Sequence, residues 1–140
     1  MKSGSVLILD DNAGVLELTS FFLRQSGFTA VTCTSAESAF EALHAAEGHV
    51  PVLVADVSLA NDSGVDIAVR LRALAPGLKV LFVSGYSFED WIKTDLALLE
   101  QLPSNAKQFL RKPFTAKELV DKIVELLSDA SGRADATQRD

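Results

Sequence analysis

The sequence predicts an α/β domain: a doubly wound, five-stranded parallel sheet flanked by five helices. Three observations carry that expectation. Short apolar segments alternate with longer stretches whose apolar residues recur every three or four positions. Three of the short segments, VLIL at 6–9, VLVA at 52–55 and VLFV at 80–83, are apolar without interruption, the pattern of strands buried on both faces. No repeat or internal linker divides the 140 residues, so one domain is expected.

The elements follow in order. Val6–Leu9 reads as a strand and Ala13–Ser26 as a helix that stops at Gly27. Phe28–Cys33 is a second strand. Ser35 is placed to cap a helix from Ala36 to about Ala46, although Ser38 stands where a full capping box has an acid. Pro51–Ala55 is the third strand, followed by the polar loop DVSLANDSG and a helix from Val65 to Ala75. Pro76–Gly77 ends that helix, and Lys79–Val83 is the fourth strand. Phe88, Trp91, Ile92, Leu96, Leu99 and Leu102 fall on one helical face, which predicts a helix over Phe88–Leu102 with Phe88 and Trp91 toward the core. Lys107–Leu110 is a short fifth strand. Thr115 with Glu118 forms a capping box for a last helix to about Ser128. Residues 129–140 lack apolar periodicity and are expected to be a disordered tail outside the 1–128 domain.

Composition narrows the classes of function. The net charge of −6, without a Lys/Arg cluster, argues against a nucleic-acid-binding surface. The start is too short in apolar residues for a signal peptide, and no apolar run reaches membrane-spanning length, so a cytoplasmic protein is expected. The one cysteine, Cys33, cannot form an internal disulfide and lies in a predicted strand, where a buried structural thiol is expected. His44 and His49 fall on a helix end and in a polar loop, neither a place for a metal ligand or phosphodonor.

The chemistry gathers at the strand ends. In open parallel sheets the functional site lies beyond the carboxyl ends of the strands. The residues there are Asp10 and Asp11 after the first strand, Asp56 after the third, Ser84 after the fourth and Lys112 after the fifth. Two like charges ~4 Å apart repel by about 4 kcal/mol at an effective dielectric of ~20. Three acids sharing one site therefore raise a pKa or hold a cation, and an all-oxygen set suits Mg²⁺ or Mn²⁺. A carboxylate beside such an ion can attack phosphorus. Asp56, alone on the middle strand, is the natural acceptor, with Lys112 and Ser84 to hold the transferring oxygens.

The set LDD, ADVSLANDSG, VSGY and FLRKPF, in register over about residues 5–128, resembles the receiver domains of two-component response regulators. The resemblance implies a flavodoxin-like sheet of order 2-1-3-4-5. It implies phosphorylation of Asp56 by a phosphohistidine on a histidine kinase or histidine phosphotransfer protein. It further implies direct Mg²⁺ ligation by Asp11, Asp56 and the Ser58 backbone carbonyl, with Asp10 helping through water. Ser84 would swing toward the phosphoryl group while the aromatic Phe109 rotates inward, and the Lys112–Pro113 bond would be cis. Gly64 matches the family, whereas Ala60 stands in place of a usual proline and Phe109 in place of a tyrosine. The 84–112 segment is longer than in compact receivers, as in receivers of hybrid sensor kinases.

The function expected is thus a Mg-dependent signalling receiver rather than an enzyme, promoting only its own phosphorylation and dephosphorylation. Without an output domain in the sequence after residue 128, a single-domain regulator, a relay shuttle or a receiver segment of a hybrid kinase is expected. Tyr86, with Ser58, is expected to flank the water path to the acyl phosphate and shield it. A Mg-dependent phosphatase with an aspartyl nucleophile is the alternative, but Ser58 occupies the position two after Asp56 where such enzymes carry an acid. A flavin protein of the same topology is disfavoured because the DDNAG turn is acidic where a phosphate cradle needs amides.

Overall fold

The computed structural model describes residues 5–59, 63–85 and 95–139, with side chains through residue 128. The expected helix residues Phe88, Trp91 and Ile92, the shielding Tyr86 and the loop residue Ala60 lie outside that set. The elements are β1 (Ser5–Leu9), α1 (Ala13–Gln25), β2 (Thr29–Cys33), α2 (Ala36–Ala45), β3 (Val52–Asp56), α3 (Gly64–Leu74), β4 (Lys79–Ser84), helical residues 95–99 (α4), a 3₁₀ turn at Ser104–Ala106, β5 (Lys107–Arg111) and α5 (Ala116–Arg139). All neighbouring strands are parallel, in the order β2-β1-β3-β4-β5. The predicted fold class and strand order are therefore the observed ones.

Alternation along each strand divides the core into two layers. Leu7, Leu9, Leu53, Ala55, Val80 and Phe82 face one side and pack with Ala39 and Leu43 of α2, Ile67 and Leu71 of α3, and Leu99 and Leu102. Val6, Ile8, Val52, Val54, Leu81 and Val83 face the other side and meet Leu16 and Leu23 of α1 and Leu119, Ile123 and Leu126 of α5. Both faces of the central strands are thus covered, which is why VLIL, VLVA and VLFV carry no polar residue. Cys33 is buried as expected, and burial pushes its thiol pKa up.

Local signals fix the helix ends. The Asn12 side chain caps α1 by accepting from the Val15 N–H, and Gly27, at φ +93°, closes it while the Phe28 N–H reaches back to the Leu23 carbonyl. At α2 the expected start is right but its box is complete after all. Ser38 supplies a hydroxyl in place of the acid, accepting from the Ser35 N–H at 3.1 Å, and the Ser38 N–H donates back to Ser35 Oγ at 3.1 Å. Thr115 and Glu118 form the anticipated box before α5.

Three expectations are corrected. The fourth helix ends at residue 99 rather than at Leu102. The Leu102 side chain is still buried, because its N–H turns back to the Leu99 carbonyl and the chain folds inward. Leu96, placed on the buried face by spacing, is 47% exposed; Leu99 is buried and Leu98 packs against it at the core edge. The helix at the end of the chain continues to Arg139, beyond the Ser128 expected from periodicity. Its last residues include alanine, arginine and glutamine and no proline, which permit helix without supplying an apolar face.

Two further contacts tie elements together. The Lys107 ammonium donates to the carbonyls of Leu99 (2.7 Å) and Leu102 (2.9 Å), tying the start of β5 to the end of α4 and the turn after it. At the opposite edge of the sheet the Arg24 guanidinium donates to the Ala30 carbonyl on β2 at 3.1 Å.

Candidate functional site

Asp56 is the last residue of β3 and Ser84 the last of β4, while Asp10 and Lys112 directly follow β1 and β5. Parallel register brings these four positions to one rim. Asp10, Asp56 and Ser84 are buried there, Lys112 is half-buried and Asp11 is exposed. One carboxylate oxygen from each of Asp10, Asp11 and Asp56 lies within 4.8 Å of the others.

Each buried acid has its two oxygens assigned. Asp10 Oδ1 accepts from the Asn12 N–H at 2.9 Å, and its Oδ2 lies 3.2 Å from Lys112 Nζ. Asp56 Oδ1 accepts from the Ser58 N–H at 3.1 Å, and its Oδ2 lies 3.4 Å from the same ammonium. Lys112 is held in turn by its backbone N–H, which donates to the Ser84 carbonyl at 2.8 Å, and the Lys112–Pro113 bond that follows is cis, as the resemblance implied.

Burial is the main reason the Asp56 carboxyl is held above the ordinary carboxylate range; Asp10 adds repulsion, while the Ser58 N–H and Lys112 pull the other way. Among the described residues, three carboxylates meet the Lys112 ammonium at the rim, an arrangement rich in negative charge. A hard divalent cation fits that deficit, since such ions take carboxylate oxygens and keep several waters. The donor set, all oxygen and open to solvent on the Asp11 side, is chemically suited to Mg²⁺ or Mn²⁺.

Phe109 lies on β5 three residues before Lys112, partly buried, with its ring stacked on Phe82 at a centroid separation of 5.8 Å. It belongs to the core layer behind the rim, not to the carboxylate cluster. Gly64, the first residue of α3, is packed so tightly that a Cβ there would stand 2.0 Å from the Asp56 carbonyl oxygen. This contact explains a glycine at that position by the close approach of the two backbones. The Asn12 N–H also orients Asp10. That role has no signature beyond adjacency to the acids.

No described helix is long and apolar enough to cross a membrane. The family model described as response regulator receiver domain matches residues 6–124. The chain is 33% identical over 126 residues to the sensor kinase CckA of Brucella abortus, an overlap of 89% of this chain and 13% of that protein. It is 32% identical over 123 residues to the probable transcriptional regulatory protein TcrX of Mycobacterium tuberculosis, covering 88% of this chain and 49% of that one. The chain thus spans about half the length of these curated relatives, or less. Among solved structures, a response regulator receiver domain protein from Clostridium thermocellum aligns with TM-score 0.77 and 23% identity over 92% of this chain and 98% of that one. A CheY-like receiver domain protein from Methanospirillum hungatei gives 0.75 and 21% over 93% and 98%. At those identities the likeness is one of fold.

Proposed function

The chain belongs to the response regulator receiver domain family, and on that premise we propose that it accepts a phosphoryl group on Asp56 from a phosphohistidine of a histidine kinase or histidine phosphotransfer protein. The reading rests chiefly on one observation: the Lys112 ammonium stands beside both Asp10 and Asp56 at the rim where three carboxylates converge. In the transfer an Asp56 oxygen bonds to phosphorus as the phosphorus–nitrogen bond of the donor breaks, and the electron pair leaves on the imidazole. Lys112 neutralises a transferring oxygen and the Ser84 hydroxyl donates to another. Asp10, Asp11, Asp56 and the Ser58 carbonyl would hold Mg²⁺ (or Mn²⁺), which when bound offsets negative charge on the phosphoryl oxygens.

In this reading the protein is a switch rather than an enzyme with an external substrate. Phosphorylation shifts a pre-existing equilibrium, with Ser84 and Phe109 as the moving parts and an unidentified downstream protein as the reader. The working unit is residues 1–128, since Leu126 is the last buried core residue among those whose side chains are described; residues 129–140 form a tail outside it. The excess acidic charge supports a protein partner rather than nucleic acid, and we place the chain in the cytoplasm. Ser58, lacking a carboxyl group, leaves the phosphatase reading without its leaving-group acid.

Incubation with Mg²⁺ and a small acyl-phosphate donor tests the proposal. Intact mass should rise by one phosphoryl group in the wild-type chain and stay unchanged in Asp56→Asn. A wild-type chain that gains no mass, or a gain that survives Asp56→Asn, overturns it.

A further inference from the structure

Asn12 is bonded to the rim and to α1 at once. Its backbone N–H donates to Asp10 Oδ1 at 2.9 Å, closing a small turn with Asp11 at its apex. Its side-chain oxygen accepts from the Val15 N–H at 3.0 Å as the N-cap of α1, and its carbonyl accepts from the Leu16 N–H at 3.0 Å. Asp10 is fixed from the other side, because its own N–H donates to the Cys33 carbonyl on β2 at 3.1 Å. The turn carrying Asp11 is therefore strung between the sheet and the first turn of α1. Gly14 fits the same arrangement. A Cβ there would stand 3.3 Å from Asn12 Oδ1, tighter than an ordinary contact, so the bare glycine leaves that oxygen room to reach Val15. Glycine within a helix is otherwise less favourable than alanine, and here the open space serves the cap.

We propose that the Asn12 side chain is a positioning residue for divalent-metal binding: by capping α1 it locks the Asp10–Asp11 turn and presets the three carboxylates for the ion. The inference rests on the function proposed above, whose metal site it concerns. Carboxylate oxygens within 4.8 Å of one another repel, and this repulsion works to spread the rim before an ion arrives. Asp10 and Asp56 resist it through Lys112 and through the N–H groups of Asn12 and Ser58. Asp11 is exposed, and its direction follows from the turn that carries it. Without the cap, the Asn12 N–H is free to drift from Asp10 Oδ1 and Asp11 turns away from Asp56. The ion must then draw the acids together as it binds, which weakens its hold. Asn12 gives the metal no ligand in this scheme, since its oxygen is committed to Val15; it acts through Asp10 and Asp11.

The test is titration of the full chain with Mg²⁺ alone, followed through the amide resonances of Asp11 and Asp56, which report the dissociation constant of the folded protein. Asn12→Ala removes the capping oxygen without changing charge and should raise that constant about tenfold, the scale of groups that support metal ligands from behind. Asn12→Ser keeps a capping acceptor and should stay within about twofold of wild type. Ser35→Ala removes the corresponding cap from α2 and should also stay within about twofold. Wild-type affinity in Asn12→Ala overturns the positioning role and leaves the metal site intact. So does an Asn12→Ser variant as weak as Asn12→Ala, or an equal loss in Ser35→Ala. Wild-type amides that do not respond to Mg²⁺ overturn the metal site and this inference with it.

Discussion

The Lys112 ammonium lies 3.4 Å from the Asp56 carboxylate, although 56 residues separate them in the chain. It also lies 3.2 Å from Asp10, so a single cation compensates two buried acids. Removing it should expose what it holds in check. In metal-free buffer Lys112→Met should lower stability by about 1–3 kcal/mol, less than for a fully buried pair because the lysine is partly exposed. Urea denaturation gives the number. Saturating Mg²⁺ should return part of the loss, and a variant as stable as wild type without metal would contradict this account of the rim.

Asp56 titrates above the ordinary carboxylate value of 3.8 because burial disfavours its charge. The folded chain then holds this proton to higher pH than the unfolded chain does. Stability must fall as pH rises through that window, since the folded state binds more protons there. Asp56→Asn cannot ionise, so without metal it should exceed wild type by on the order of 1 kcal/mol at neutral pH. The gap should narrow as pH falls toward 4. Thermal melts of both proteins from pH 4 to 7.5 check it, and a gap that widens toward acid would reverse the sign.

A divalent ion that binds the folded rim and not the unfolded chain must raise stability by mass action, about 2.7 kcal/mol at a hundredfold excess over its dissociation constant. Titration with Mg²⁺ should raise the melting temperature of the wild-type chain. Asp11→Asn, on the exposed side of the cluster, should weaken the response at least tenfold in Mg²⁺ concentration while leaving metal-free stability within about 0.5 kcal/mol. Equal titration curves would remove Asp11 from the proposed ligand set.

Gly64 admits no side chain, because a Cβ would stand 2.0 Å from the Asp56 carbonyl oxygen. Gly64→Ala must push the start of α3 away from β3. A cost of about 2–4 kcal/mol in urea denaturation is expected, with displaced amide resonances at Asp56 and Ser58. A variant of wild-type stability would show that the two backbones separate easily.

The strands were readable because burial on both faces leaves no room for polar residues, so VLIL, VLVA and VLFV announce themselves. The rim was readable for a related reason. Acids that interrupt such runs need an electrostatic explanation, and Lys112 supplies part of it from the last strand. Other features leave weaker traces. Leu96 has the spacing of a buried residue, yet the choice between Leu96 and its neighbours Leu98 and Leu99 depends on how α4 is rotated against the sheet, which periodicity does not specify. Ser38 completes a capping box by a hydroxyl, an exchange the acid-based pattern does not describe.

The Arg24 guanidinium has a consequence for how molecules of this chain meet one another. Cys33 turns its carbonyl inward to Asp10, so by alternation Ala30 and Thr32 turn theirs outward from β2, where a strand from another molecule could dock and extend the sheet sideways. Arg24 already occupies the Ala30 acceptor. Lateral growth along this edge would first have to evict a charged side chain.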